Sequence, residues 1–207
     1  MHIEILDDKR KDILPLLSFT RDKFYLAGGT ALALQIGHRD SVDFDFFTDS
    51  DFDIDVLFDS VVSAFKDHKV VKTSTTKNTL YVLIDDSIKF SFMKYQYPLI
   101  EDLIETEYFK MASIGEIACM KFSAITSRQA MKDYVDLFFI LKSFNLEDLL
   151  KLSEVKFSGQ LDRNLILKSI AYFDDVEQEG IIYKNNNEVS FDEIKMELVE
   201  LVGKVSK

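Results

Sequence analysis

Apolar residues follow two rhythms along this chain, and the change between them divides it. Asp8 to Phe19 predicts a first helix, with Ile13, Leu14, Leu16 and Leu17 on its apolar side. Phe24-Tyr25-Leu26-Ala27 predicts a short buried strand that runs into Gly28-Gly29. Thr30 to Ile36 then predicts a short helix stopped by Gly37. Val42 to Thr48 alternates apolar and acidic residues, the pattern of a strand. Ile54 to Lys66 predicts a further helix. Lys69 to Ser74, Thr79 to Ile84 and Ile88 to Tyr95 predict three strands, the last two joined by a tight turn at Asp85-Asp86-Ser87.

From Ser113 the period becomes helical. Ser113 with Glu116 fits a capping box and opens a segment to about Arg128. Lys132 to Phe144, Glu147 to Val155 and Arg163 to Tyr172 predict three more helices, and Asn185-Asn186-Asn187 a loop. Ser190 with Glu193 caps a last amphipathic helix to about Val202. The expected fold class is α+β: an α/β-like core over residues 1–110, then a helical part over 111–207.

Composition narrows the function classes. The formal net charge of −11 disfavours a protein that coats nucleic acid non-specifically, though it leaves room for a local basic cleft. A lone cysteine, Cys119, excludes an internal disulfide and points to a reducing compartment. Residues 1–10 hold no apolar signal-peptide core, and no uncharged run approaches the roughly 18 residues a membrane helix needs. The expectation is a cytoplasmic protein with no membrane partner. His2, His38 and His68 are too scattered to suggest zinc.

The chemistry concentrates in two short stretches. In Val42-Asp43-Phe44-Asp45-Phe46 the two aspartates share one strand face, roughly 7 Å apart at about 3.3 Å per residue. Such a pair can converge on a hard divalent cation, with waters and substrate phosphates completing its shell. One short helix upstream, Gly28-Gly29 lets the backbone approach a ligand closely. Thr30 begins a helix whose free N–H groups favour an anion, and its hydroxyl could bond the same phosphate. A phosphate cradle beside a metal-binding acid pair suits metal-assisted nucleotidyl transfer. Each part alone has a plainer reading, a tight turn or a solvated strand face. It is the combination that points to function.

Later in the chain, Lys121 and Arg128 are nearly two helical turns apart and emerge on one face, where they can meet phosphate or surface acids. Asp133 and Asp136 share a helix face and could orient Lys121, or form a solvated acidic face. Arg39 is open between a phosphate contact and a structural ion pair.

Leu26-Ala-Gly-Gly-Thr-Ala-Leu-Ala-Leu34 and Gly37-His-Arg-Asp-Ser-Val-Asp-Phe-Asp-Phe-Phe47 resemble the AbiEii/AbiGii-type toxin family, within the DNA polymerase β-like nucleotidyltransferase superfamily. Lys121 through Arg128 and Lys132-Asp-Tyr-Val-Asp-Leu-Phe-Phe-Ile-Leu141 match its second block. The resemblance implies a mixed sheet flanked by helices, then a helical subdomain closing over an NTP. It implies that Asp43 and Asp45 hold Mg²⁺ (or Mn²⁺), that Gly28, Gly29 and Thr30 face phosphate, and that Lys121, Asp133 and Asp136 belong to the active site. It also implies a toxin paired with an antitoxin or acting in phage defence, with RNA ends as one class of acceptor.

One departure stands out. Superfamily members usually carry a third carboxylate on a neighbouring strand, and here that position aligns with Ser91 in Ile88-Lys-Phe-Ser-Phe-Met93. A serine is a poor general base and a weak magnesium ligand. Asp133 or Asp136 substituting, one metal with a slow reaction, and a catalytically silent nucleotide-binding protein all remain open. A sugar transferase using Asp-x-Asp would not need the Gly-Gly-Thr turn.

Overall fold

Proline at position 15 shapes the start of the chain. A computed structural model describes residues 1–177 and 179–205. The helix expected over Asp8–Phe19 is divided there into α1 (Asp8–Asp12) and a 3₁₀ turn over Leu14–Thr20. Proline has no N–H to donate, so a continuous helical ladder cannot cross it. Asp7 caps α1 by accepting from the Arg10 backbone N–H at 2.9 Å.

The other elements are β1 (Tyr25–Ala27), α2 (Gly28–Ile36), β2 (Phe44–Thr48), α3 (Ile54–Ala64), β3 (Val70–Thr76), β4 (Thr79–Ile84) and β5 (Ile88–Lys94). Then follow β6 (Ile104–Glu105), β7 (Lys110–Met111), α4 (Ile114–Ser127), α5 (Met131–Leu141), α6 (Leu146–Phe157), α7 (Arg163–Ile170) and α8 (Phe191–Val205). The seven strands form one mixed sheet in the order β3-β4-β5-β2-β1-β7-β6. β2 runs parallel to β5 and antiparallel to β1. The fold is therefore α+β, a mixed sheet flanked by helices.

Period-2 alternation explains the abundance of phenylalanine. Phe44, Phe46, Phe90 and Phe92 fall on one sheet face and stack across β2 and β5, with centroids 5.1 Å apart for Phe44–Phe90 and 5.5 Å for Phe46–Phe92. Phe65, just after α3, meets Phe90 edge-on at 5.6 Å and closes this layer. The odd-numbered residues of the same strands, Asp45, Phe47, Ser91 and Met93, are left for the opposite face.

On that face α4 packs against α2 and α5, and behind it lie α6 and α7. One buried apolar cluster runs through both halves, and β7 straddles residue 110, where a division between sheet and helices was expected. Ser113 caps α4 as predicted, accepting from Glu116 N–H at 3.1 Å. The Glu116 carboxylate does not complete the box. It turns inward to the Ile100 and Glu101 backbone N–H groups and to Lys156 at 2.5 Å. The pair is buried, and the Lys156 ammonium also donates to the Pro98 carbonyl at 2.9 Å, which ties α6 to the loop after β5. No helix among the described residues is long and apolar enough to cross a membrane.

Candidate active site

The site is built on one row across the sheet. Ala27 on β1 pairs with Asp45 on β2, Asp45 with Ser91 on β5, and Ser91 with Tyr81 on β4. The Ser91 hydroxyl donates to the Asp45 carboxylate. Asp43 lies one residue before β2, which starts at Phe44 rather than at the predicted Val42. Burial pushes the Asp45 carboxyl above its ordinary value; the Ser91 hydroxyl opposes this, and the neighbouring Asp43 adds to it.

The glycine turn adjoins this row. Helix α2 begins at Gly28, two residues before the predicted start, with Gly28 at φ +69°, a conformation that favours glycine. Gly29 is required for another reason. A Cβ there would stand 2.6 Å from Arg39 Nη2. The Thr30 hydroxyl is buried, donates to the Asp43 carbonyl and lies 2.8 Å from the Ser41 hydroxyl. The expected phosphate contact from Thr30 is thus corrected: its hydroxyl holds the acid loop against α2.

Opposite the acids stands a buried network of charges. Lys121 Nζ lies 2.7 Å from Asp133 Oδ1 and 2.5 Å from Asp136 Oδ2. Arg39 grips Asp136 with two bonds, Nε to Oδ1 at 2.7 Å and Nη2 to Oδ2 at 2.9 Å. Its third arm, Nη1, donates to the Asp40 carbonyl at 2.8 Å. Between phosphate contact and ion pair, Arg39 is seen in the ion pair. Burial alone would raise Asp136, yet Lys121 and Arg39 outweigh it and hold the carboxyl well below its usual range. Burial alone would lower Lys121, but Asp136 and Asp133 outweigh it and keep the ammonium charged. His38 Nε2 sits 2.7 Å from Asp136 Oδ1, and burial lowers this imidazole, so it donates Nε2–H as a neutral ring. Arg128 bonds Asp133 through Nε at 3.0 Å, while its side chain is 62% exposed and leaves guanidinium N–H groups open.

These parts surround one cleft of about 650 Å³. Gly28, Gly29, Arg39, Asp43, Asp45, Lys121, Arg128 and Asp133 all line it. Thr30 and Asp136 do not. Asp136 is fully buried behind Lys121 and Arg39, where it orients Lys121 and is out of reach as a substitute for the third carboxylate. The sequence reading missed Tyr81, Met93 and Tyr95 on the cleft floor; alternation from Ser91 would have found Met93 and Tyr95, while Tyr81 follows only from the pairing of β4 with β5.

It also missed the segment after α7. Glu177 N–H donates to the Gln129 carbonyl at 3.0 Å, Asp40 N–H to Ile182 at 2.9 Å and Lys184 N–H to His38 at 3.0 Å. Asn185 Nδ2 adds a bond to the Gly37 carbonyl at 2.9 Å. Glu179, Gly180 and Ile181 thereby form part of the cleft wall. Cys119 is buried away from the cleft, which pushes its thiol up to about 12 and leaves it inert.

Among the described residues no group of three or more His, Cys, Asp or Glu side chains could hold a metal ion. At the sheet row the donors facing the cleft are the Asp43 and Asp45 carboxylates and the Ser91 hydroxyl, all hard oxygens. That set fits a small divalent cation whose remaining ligands are waters and phosphate oxygens.

Residues 15–200 match the family described as Nucleotidyl transferase AbiEii toxin, Type IV TA system. The chain is 41% identical over 160 residues to an uncharacterized protein of Aquifex aeolicus (strain VF5), covering 75% of this chain and 76% of that one. In fold it is similar to a candidate nucleotidyltransferase from H. pylori (TM-score 0.62, 20% identity, 97% and 96% of the two chains covered). It is also similar to MenT4, a nucleotidyltransferase toxin of Mycobacterium tuberculosis H37Rv (TM-score 0.61, 17% identity, 93% and 81% covered). The acid pair, the glycine turn and the match over most of the chain agree: this chain belongs to the AbiEii nucleotidyltransferase toxin family, and it is a nucleotidyltransferase.

Proposed function

We propose that the chain moves a nucleoside monophosphate from an NTP to a hydroxyl at an RNA end, with Asp43 and Asp45 holding Mg²⁺ or Mn²⁺. The observation that carries this is the single cross-sheet row that sets the glycine turn, the acid pair and the Ser91 hydroxyl under the Lys121–Arg128 face. A bound divalent ion would neutralise phosphate charge at Asp43 and Asp45.

The chain's own residues have separable tasks. Gly28 and Gly29 present backbone N–H groups to the β- and γ-phosphates at the start of α2. Arg128, open to the cleft, meets the charge that builds on the transferring group. Lys121 lies deeper and sets the potential of the cleft wall, held in place by Asp133 and Asp136. Ser91 favours the ionised form of Asp45 against burial. The acceptor oxygen bonds to the α-phosphorus, the bond from that phosphorus to pyrophosphate breaks, and the hydroxyl proton passes to solvent. In this reading residues 1–110 supply the acids and 111–207 the cations. The family description, a Type IV TA system, also supports a toxin controlled by an antitoxin.

The test is incubation with each labelled NTP, Mg²⁺ and a mixed RNA pool. Incorporation by the wild type and none by Asp43→Ala is expected. Equal signals from both, or none under either metal, would sink the reading.

A further inference from the structure

We infer that Tyr81 is the platform on which the terminal base of the acceptor strand stacks, which makes it a positioning residue for the attacking hydroxyl. This rests on the transferase reading above. The order across the cleft floor is Gly28–Gly29, Asp45, Ser91, Tyr81. Neighbouring strands lie about 4.8 Å apart, so Tyr81 stands about 10 Å from Asp45, on the side away from the glycine turn. Attack on a phosphorus proceeds roughly in line with the departing group. Phosphates held at Gly28–Gly29 send pyrophosphate out on the β1 side. The hydroxyl must then arrive over Ser91 and Tyr81.

The state of the Tyr81 side chain fits that task. It lines the cleft, is 41% exposed, and has no hydrogen-bond or ring partner among the described residues. The other aromatics of this face are engaged: Phe47 stacks on Tyr25 at 6.1 Å and meets Tyr95 edge-on at 5.7 Å. Lys89, exposed and two residues before Ser91 on the same strand face, puts a cation beside the path of an incoming backbone. One open aromatic ring with a nearby cation is how a single strand is held without reading its sequence. An acceptor with no base, such as a protein hydroxyl, would leave the ring unused.

The chain contains no tryptophan, so Tyr81→Trp creates a single indole reporter at this spot. The probes are a short single-stranded RNA oligomer with Mg²⁺ and, separately, each NTP with Mg²⁺. Saturable quenching by the oligomer and none by NTP alone is expected. Quenching by NTP alone, or by neither, overturns the assignment. In steady-state transfer to the same oligomer, Tyr81→Ala should raise the acceptor KM ~10-fold. Tyr81→Phe should restore it, and neither variant should change the NTP KM. An unchanged acceptor KM in Tyr81→Ala, or a raised NTP KM, also overturns it. Absence of incorporation by the wild type would instead remove the transferase reading, while the tryptophan titration still reports on stacking.

Discussion

Ser91 stands in register beside Asp45 on the neighbouring parallel strand and donates a hydrogen bond from its hydroxyl to the Asp45 carboxylate. A carboxylate at that position would repel Asp45. The hydroxyl stabilises the ionised acid instead, in a place where burial works against ionisation. The site therefore has two acids and a donor in place of three acids.

Ser91→Ala should keep the fold and weaken metal use. A hydrogen bond to a charged group contributes roughly 1.5–3 kcal/mol. Loss of its lower bound corresponds to a transfer rate about tenfold lower at limiting Mg²⁺, recovered in part at high Mg²⁺. Initial rates against metal concentration check this, and a Mg²⁺ dependence equal to wild type would count against the role.

Asp45→Asn should be inactive yet more heat-stable without metal. Burial and the nearby Asp43 disfavour the charge, so removing it relieves the folded state. A gain of about 1 kcal/mol corresponds to roughly 2–4 °C in Tm for a chain of this size. Differential scanning calorimetry with and without Mg²⁺ should show a raised baseline Tm and no further rise with metal.

Lys121→Ala and Arg128→Ala should separate stability from substrate binding. Lys121 is buried between two aspartates, and removing one partner of such a pair costs about 3 kcal/mol or more. Arg128 is mostly exposed, so its loss should cost less than about 1 kcal/mol while raising the NTP KM about tenfold. Urea melts and steady-state kinetics on both variants check the contrast.

Acidification should destabilise the protein in two stages. His38 is lowered by burial below 6.5, so below pH 6.5 the unfolded chain takes up a proton that the folded one refuses, and stability falls. Asp136 is held well below 3.8, so its contribution is present above pH 3.8 and is lost as the pH drops through its folded value. His38→Gln should flatten the upper stage only, to be read from urea melts between pH 7 and 5.

Gly29→Ala should damage the site through Arg39. The added methyl would meet Nη2 at 2.6 Å, and Arg39 cannot swing aside without releasing Asp136. Overpacking of this kind costs about 1–3 kcal/mol. Gly180→Ala, with open space around its Cβ, is the control.

Much of the site was legible because it is local. Asp43, Asp45 and the glycine turn lie within one strand–helix–strand unit, and alternation alone placed the two acids on one face. The Ser91 position followed from strand pairing by analogy and stands where expected. The pairing of Asp133 and Asp136 with Lys121 followed from i, i+3 spacing. What failed was long-range or aperiodic. Arg39's choice of Asp136 depends on how α5 packs on α2. The described residues between Glu177 and Asn185 have no hydrophobic period, because they are held by bonds to the backbone of Gly37, His38, Asp40 and Gln129. Strands β6 and β7, two residues each, are too short to show any period.

That aperiodic segment sets an order of events during synthesis. The acid pair and glycine turn lie within residues 28–45 and leave the ribosome first, but the wall that includes Glu179 and Ile181, and the clamp on Gly37 and His38, come from residues 179–185. Domains emerge N-terminal end first. A nascent chain therefore presents its acid pair and glycine turn before residues 179–185 can wall the cleft, so the order of synthesis separates the two parts of the site.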